Sequence, residues 1–512
     1  MGSWEEIVEA HREREAHARS MGGAEKLARR AASGVLNARQ RIDGLFDAGS
    51  FHEIGLFATS FRTEDRDSTP ADGKIAGFGR IRGRKAGVVA NDLTVKGASS
   101  SVTNGRKIAY MKQATSRNGM PLVFLGESAG ARMPDTMGAA GMGTMGHDPT
   151  QYMRVRDNPW ASAILGPCYG SSVWYACLSD YVVMRKGAVM AVSSDRVTSM
   201  AISQAVDPEE LGGWRLQTQV TGQVDLAVDT DEQAIEAIQR FLSYLPQHHG
   251  EPPPRAEVPA GSDTAAERLL DLVPQERSQV YDMRKVIDAI ADRDSVLPLK
   301  DRFGRAAVTA LARLNGETVG FIASNPMMKG GALDPDACDK VTSFLVLCDS
   351  FNIPVITLVD TPGFLIGVAG ERQKAPGKIM NYMQALQMCS VPRVSVILRK
   401  SYGQAYLNMG GGRNSDAVGA WFTADVSFMD PAIGVRVVHG VDAHADPARY
   451  AALAERMQVD NSAYELGAVF AAQSVIDPRE TRRYLIDTLD YQRRDLHGGV
   501  GAHLLRGWPC TF

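Results

Sequence analysis

The chain has 512 residues, 44% hydrophobic and 22% charged, a composition that excludes a disordered, collagenous or low-complexity protein and predicts two or three domains. Its formal net charge of −3 and pI near 6.4 supply no global basic field, which excludes broad binding to nucleic acid or an anionic membrane and leaves any polyanionic ligand to local cations. No run of about 18 apolar residues occurs, and the six cysteines (Cys168, Cys177, Cys338, Cys348, Cys389 and Cys510) form no C-x-x-C pair, so thiols in a reducing cytoplasm are expected rather than disulfides or zinc.

The opening stretch MGSWEEIVEAHREREAHARS is charged and helix-favouring, with no apolar signal core, and Glu6 stands where a myristoylation motif needs serine or threonine. A helical arm is predicted to run through Phe51, to end in the turn DAGS and to pack on the first domain. Apolar strands follow at 85–90, 122–125 and 161–165, with a helix around Lys107 between the first two. The second strand runs into the turn Ser128-Ala129-Gly130 and the third into Tyr169-Gly170. After a proline-rich stretch at 246–263, read as a linker, the series returns: strands at 317–323, 355–359 and 394–398, a helix around Lys340, and turns at Thr361-Pro362-Gly363 and Tyr402-Gly403. Strands alternating with helices predict crossover connections and a parallel sheet covered on both faces, an α/β fold. The domains expected are 1–245, arm included, and 264–512.

The two series lie 233 residues apart without a gap. Lys96-Gly97 recurs as Lys329-Gly330, Lys107 as Lys340, Pro121 as Pro354, Gly130 as Gly363 and Tyr169-Gly170 as Tyr402-Gly403. Glycine and proline at equivalent strand ends are backbone requirements rather than shared composition, so the chain reads as an internal duplication.

Where a strand turns into a helix, the first N–H groups have no intrahelical partner. Small residues such as Gly170, Ser171 and Ala405 let a ligand approach that backbone, as an oxyanion hole for an enolate or a tetrahedral intermediate requires. Tight turns in any parallel α/β sheet also favour glycine, so one copy alone does not decide between the two readings. The recurrence of both turns, against diverging surface residues, favours the site.

The segments LNARQRIDGLFDAGSFHEIG, DGKIAGFGRIRGRKAGVVANDLTVKGASSS, ESAGAR, ILGPCYGSSVWYACLSDYVV and EELGG occur in order, followed by YDMRKVIDAI, SNPMMKGGALDPDACDKVTSFLVLCDSFNIPVITLVDTPGFLIG and LRKSYGQAY. With them the chain resembles the carboxyltransferase β subunits of biotin-dependent acyl-CoA carboxylases, of the propionyl-CoA carboxylase type, from about Arg29 to its final turn. The resemblance implies two tandem crotonase-like domains, the first for acyl-CoA and the second for carboxybiotin, in a homo-oligomer, a hexamer, whose sites join domains of neighbouring subunits. It implies oxyanion amides near Gly170 and Ser171 and near Gly403, Gln404 and Ala405. Arg39, Lys96, Gly97, Ala129, Gly130, Ala131 and Leu407 fall to the acyl-CoA side, with Leu407 against the acyl chain; Lys329, Gly330, Pro362, Gly363, Phe364 and Tyr402 fall to the carboxybiotin side. The thioester would be deprotonated to an enolate that takes up CO2, the biotin ureido group serving as base in place of a side chain. No biotinylation motif is present, so biotin would come from a partner biotin carboxylase or biotin carboxyl carrier subunit. No metal, nucleic acid or membrane is implied. An acyl-CoA decarboxylase using the same site in reverse, and a non-catalytic acyl-CoA-binding scaffold, are the alternative functions. The chain departs from the family pattern at Val35, at Tyr169-Gly170-Ser171-Ser172, at Gln404 and at Gln217, which leaves backbone donors in place and pocket shape open.

Other constellations carry less. His439, Asp442, His444 and Asp446 form a metal-like spacing in a loop where such residues usually face water. His147-Asp148 beside GAAGMGTMG is a similar case, and that run is a candidate lid. Gly126-Glu127-Ser128-Ala129-Gly130 spells a serine-hydrolase elbow, but the duplicate places Thr361-Pro362 there and no partner Asp and His follow suitable strands. Arg29, Arg30, Arg39 and Arg41 are read equally as CoA-phosphate contacts or as a solvated helix face, and so are Lys96 and Lys329.

Overall fold

The computed structural model describes residues 3–146, 148–264 and 266–509; His147 and Cys510 therefore lie outside the described residues. Two compact units emerge: residues up to 243 with 247–249, and 244–246 with everything from 250 onward. Residues 250–263, expected as a linker, belong to the second unit. Ala256 N–H donates to Gly316 O at 2.8 Å, the Arg313 guanidinium reaches Pro254 O, and the Arg482 guanidinium meets Asp263 at 2.9 Å. Proline there sets an extended path past the Asn315-Gly316 turn rather than a free tether.

Each unit is a mixed α/β fold built on an eight-stranded sheet. The first unit carries β1 (His52–Ile54), β2 (Lys74–Ile81), β3 (Arg84–Asn91), β4 (Leu122–Ser128), β5 (Trp160–Tyr169), β6 (Tyr181–Arg185), β7 (Val189–Ala191) and β8 (Leu226–Val228). Their order is β1-β2-β3-β4-β5-β6-β8, with β7 beside the end of β5. The second unit carries β9 (Leu297–Leu299), β10 (Ala307–Leu314), β11 (Glu317–Ser324), β12 (Val355–Thr361), β13 (Arg393–Tyr402), β14 (Ala417–Trp421), β15 (Asp425–Ser427) and β16 (Ser474–Ile476). It repeats the order, with β15 beside the end of β13. In both, an antiparallel edge precedes parallel strands joined by helical crossovers.

Register repeats as closely as order. Gly87 pairs with Leu122 as Gly320 pairs with Val355, and Leu122 with Trp160 as Val355 with Arg393. Even the irregularity in the second ladder recurs, between Gly126 and Ser128 and between Val359 and Thr361. The parallel strands are buried on both faces, which is why 122–128 and 355–361 read as continuous apolar runs. Val286, Ile287 and Ile290 of the helix Met283–Ile290 share the second core with Ile356, Leu358 and Val396; Met111, Phe124, Trp160 and Tyr175 meet in the first.

The repeat also extends further toward the N-terminus than its motifs suggest. Asp47 accepts from the N–H groups of Arg82 and Gly83, and Asp292 accepts from those of Asn315 and Gly316. The helix Ala38–Leu45 thus answers Met283–Ile290, now 245 residues on. The step from 233 to 245 is an insertion at 55–73, set against 300–306 in the second unit, and it breaks the constant offset that the later motifs keep.

Buried lysines tie helix to sheet at equivalent points. Lys107 Nζ donates to Gly55 O at 3.1 Å, to Ala71 O at 3.0 Å and to Lys74 O; Lys340 Nζ donates to Phe303 O and Ala307 O at 3.0 and 2.9 Å. Burial lowers the Lys107 pKa to about 8, nearby Glu53 and Asp72 opposing the shift. Because the folded value lies below the unfolded one, the unfolded chain holds the extra proton between about pH 8 and 10.5, and this lysine makes stability rise with pH across that window. Urea titrations at pH 8 and 9.5 are expected to show that contribution in the parent protein and to lose it in Lys107→Met; an unchanged slope would remove Lys107 as its source.

Candidate active site

Three turns of the first unit converge at the carboxyl ends of β3, β4 and β5. After β3 the backbone takes positive φ at Lys96 (48°), Gly97 (64°) and Ala98 (50°), and the second unit repeats this at Lys329 (52°), Gly330 (63°) and Gly331 (90°). Lysine and alanine are disfavoured there, so the loop is held by its neighbours. Ala129 N–H donates to Gly97 O at 2.8 Å, Ser100 N–H to Gly130 O at 2.8 Å and Arg132 N–H to Ser100 O at 2.9 Å. These bonds pair Ser100 with Ala131, as Leu333 is paired with Phe364. The third turn lies against the second: a Cβ on Gly170 would make ordinary contact with Gly130 Cα at 3.6 Å, so backbone conformation rather than space calls for glycine there.

Gly170 has φ 64° and ψ −131°, and Gly403 has φ 60° and ψ −144°, a region essentially reserved for glycine. That geometry turns a strand abruptly into a short helix, Ser171–Cys177 or Gln404–Asn408. In the first, the Val173 and Trp174 N–H groups both go back to Gly170 O, and in the second Tyr406 N–H goes back to Gly403 O. The amides of Ser171 and Ser172, and of Gln404 and Ala405, precede the first helical hydrogen bond. Two adjacent N–H donors beside a glycine can bind a developing anionic oxygen.

The first-unit turn rests on a buried polar network. Asn91 Nδ2 donates to Ser172 Oγ at 2.9 Å and to Glu127 O at 2.7 Å, while Lys74 Nζ donates to Asn91 Oδ1 at 3.0 Å. Burial lowers the Lys74 pKa to about 8, with Asp72 opposing. Asp72 meets the Arg132 guanidinium at 2.6 Å and accepts from the Ser101 hydroxyl. None of Asn91, Lys74, Asp72 and Arg132 was expected as support for the site. Their only sequence signal is position, at the ends of β2 and β3 and just beyond β4.

Beside Ser171 lies a cleft of about 70 Å3, lined by Ser100, Ala131, Ser171, Ile108, Tyr175 and, from the stretch 136–152, Thr144, Met145 and Tyr152. That stretch contains the run read as a candidate lid. The hydroxyls of Ser100 and Ser171 lie 2.5 Å apart. Leu333 and Phe364 stand at the second-unit positions of Ser100 and Ala131, so small residues line the opening in the first unit and large apolar ones the equivalent place in the second.

The remaining expected site residues separate by environment. Lys96 and Lys329 are half-exposed at the rims of their turns, Lys96 3.3 Å from Asp65 and Lys329 2.5 Å from Asp334. Pro362 is exposed, and Gly363, Phe364 and Leu407 are half-buried. The Tyr402 side chain is buried and turned from its turn, its hydroxyl 2.8 Å from Asp425 and 3.0 Å from the Arg277 guanidinium, so only its backbone serves the turn. Burial raises its pKa, with Asp425 adding to the shift.

Arg39 is held by Glu53 on β1 at 2.9 Å, and Arg29 is exposed with Glu25 for company. Arg30 and Arg41 are neither a solvated face nor open to phosphate: their guanidinium groups meet Glu127 at 2.7 and 2.8 Å, and Arg41 also meets Asp231 at 2.8 Å. Ser128 is fully buried, its hydroxyl accepting from Gly130 N–H at 3.1 Å, which makes it a turn brace. Asp442 pairs with Arg436, and Asp446 caps the helix Pro447–Asp460. Among the described residues no helix is long and apolar enough to cross a membrane.

Comparison with known proteins agrees with this architecture. Residues 29–496 match the carboxyl transferase domain family. The chain is 33% identical over 496 residues, 95% of its length and 96% of the relative's, to the propionyl-CoA carboxylase carboxyltransferase subunit of Haloferax mediterranei. It is 31% identical to the methylmalonyl-CoA decarboxylase α subunit of Veillonella parvula, covering 96% of each. A crystal structure of the transcarboxylase 12S hexamer with methylmalonyl-coenzyme A bound superposes with a TM-score of 0.90 at 31% identity over 96% of both chains. The chain belongs to the carboxyl transferase family and is an enzyme of that family, akin to the carboxyltransferase subunits of biotin-dependent acyl-CoA carboxylases.

Proposed function

We propose that the protein transfers a carboxyl group from carboxybiotin, brought by a partner biotin carboxyl carrier, to the α carbon of an acyl-CoA. The observation that carries this reading is the repeated turn at Gly170 and Gly403, each presenting two forward amides, within a chain of this family. In this reading the units are crotonase-like domains related by duplication. The Ser171 and Ser172 amides bind the thioester oxygen and stabilise the enolate when charge develops there, a role worth two to three orders of magnitude per donor in comparable holes. The open cleft beside Ser171, against Leu333 and Phe364 in the second unit, supports the reading in which the first unit takes the acyl group.

The Gln404 and Ala405 amides would hold the carbonyl oxygen of the carboxylated biotin ring. The neighbourhood of Gly403 suits that neutral bicycle: a glycine cradle with Gly363 near Tyr402 O and the exposed Phe428, whose carbonyl lies 3.2 Å from where a Gly403 Cβ would be. Bound there, carboxybiotin supplies the activated carboxyl group, while this chain's residues orient both oxygens and contribute no side-chain base. Lys96, Gly97 and the Ala129-Gly130-Ala131 turn line the CoA approach, with Arg39 farther along the arm; Lys329, Gly330 and Gly363 line the biotin approach.

A homo-oligomer, a hexamer, fits matching apolar faces next to the two turns. Val192, Val197 and Met200 are exposed on the first unit, and Phe428, Ile433 and Val437 on the second. In such an assembly Leu407 would meet the acyl chain of a neighbouring subunit. The decarboxylase relative favours a second reading, the same enolate run in reverse. Purified protein is to be assayed with acetyl-, propionyl- and methylmalonyl-CoA, with and without a carboxylated biotin carrier. Carrier-dependent carboxylation is the expected result; release of CO2 from methylmalonyl-CoA without net carboxylation selects the second reading, and no turnover in either direction overturns both.

A further inference from the structure

The cleft beside Ser171 is lined by two kinds of surface, apolar and hydroxyl-bearing. Its floor is apolar, formed by Ile108 of the helix Val102–Arg117 and by Tyr175, which is stacked on Phe124 at 5.1 Å. Its opening carries hydroxyls. Ser100 and Ser171 share one hydrogen bond, so one of the two donates and the other keeps a proton to give. Tyr152 Oη accepts from Gln151 Nε2 at 3.1 Å and likewise keeps its own proton.

These hydroxyls are particular to the first unit. At the second-unit positions of Ser100 and Ser171 stand Leu333 and Gln404, and no backbone requirement of the repeated turn calls for serine, since Gly170 and Gly403 have the same conformation without it. A purely alkyl substituent entering the cleft would cover donors it cannot satisfy, whereas a substituent carrying an acceptor would pair with them. The cleft's volume of about 70 Å3 restricts that substituent to a few heavy atoms.

We propose that the first unit selects a short acyl-CoA whose acyl chain bears a hydroxyl group, received by the Ser100–Ser171 pair and by Tyr152. This rests on the acyl-CoA reading above and names its substrate class. Ser100 and Tyr152 are specificity residues here, and the oxyanion amides are separate from them.

The test compares two probes of equal size, 3-hydroxypropionyl-CoA and butyryl-CoA, in which a hydroxyl replaces a methyl group. Binding to the intact protein is measured by calorimetry and kcat/KM by carrier-dependent carboxylation. The hydroxylated probe is expected to bind about tenfold or more tightly, in line with the asymmetry of sites built to pair a substrate hydroxyl. In Ser100→Ala and Tyr152→Phe that ratio should fall toward one while butyryl-CoA binding and melting temperature hold. Equal or tighter binding of butyryl-CoA by the parent protein overturns the proposal, and so does a ratio that both variants leave untouched. Because binding is read apart from turnover, a preference for the hydroxylated probe without carboxylation would sustain the site and sink the carboxyltransferase reading instead.

Discussion

Glu127→Ala is expected to lower the melting temperature of the protein by about 10 °C and to make the arm at 24–45 sensitive to protease. Glu127 is 1% exposed and receives the Arg30 guanidinium at 2.7 and 2.8 Å and that of Arg41 at 2.8 Å. Arg41 is fully buried, and among the described residues its only other carboxylate contact is Asp231. Removing one partner of a buried ion pair leaves charge without compensation and costs roughly 3–5 kcal/mol, which for a unit of this size is about 2–4 °C per kcal/mol. Glu127→Gln retains an acceptor of the same length and should lie between the parent and the alanine variant. Differential scanning calorimetry with limited proteolysis checks both, and an alanine variant within about 2 °C of the parent would show that the network is replaceable by water.

The duplication gives this carboxylate a physical rationale. Asp360, at the equivalent place on β12, is also buried and meets the Arg399 guanidinium at 2.8 Å, and Arg399 in turn holds the carbonyls of Pro274, Glu276 and Gln279. In the first unit Gly166 stands where Arg399 stands in the second; a Cβ on Gly166 would lie 2.7 Å from Glu127 Oε1. The cation therefore comes from the arm. Both units use a buried carboxylate at the end of the central strand to fasten the segment that precedes their sheet, with the arginine supplied from different places.

That exchange explains much of what the amino-acid sequence does and does not disclose. Glycines and prolines at strand ends are read directly, because few other residues satisfy the φ and ψ of Gly170 and Gly403, and they disclose both sheets and both turns. Partnerships across long separations leave no periodic trace. Arg30 and Arg41 look like a basic helix face, yet their partner Glu127 is about 90 residues away and belongs to a motif that also spells a hydrolase elbow. Tyr402 adjoins the second turn in sequence, but β-strand alternation sends its ring toward Asp425, a direction that adjacency in sequence does not disclose. The earliest part of the duplication was obscured by the insertion at 55–73, although Ile42-Asp43 and Asp47 do reappear as Ile287-Asp288 and Asp292.

Gly170→Ala should cost activity far more than stability, because the glycine's contribution is to aim amides. Its φ of 64° and ψ of −131° are costly for alanine by about 1–3 kcal/mol, and the added Cβ would make only ordinary contact with Gly130 Cα at 3.6 Å. The least costly response is rotation of the turn toward a conformation alanine tolerates, and that swings the Ser171 and Ser172 N–H groups off the thioester oxygen. A fall in kcat of two to three orders of magnitude is expected, with acyl-CoA affinity changing much less, since the donors matter most when the enolate carries charge. Gly403→Ala should act in the same direction on the carboxybiotin side, with some added crowding from Phe428 O at 3.2 Å. The comparison that separates aim from strain is Gly187→Ala. Gly187 also has positive φ, 84°, with open space around its missing Cβ, but it lies in the turn between β6 and β7, where Met184 pairs with Ile164 and Val189 with Pro167, several residues before the Gly170 turn. Alanine there imposes a similar backbone penalty and should depress the melting temperature alike while leaving kcat near the parent value. Equal losses of kcat in the two variants would mean that Gly170 serves the fold alone, and the oxyanion role assigned to its neighbours would fall with it.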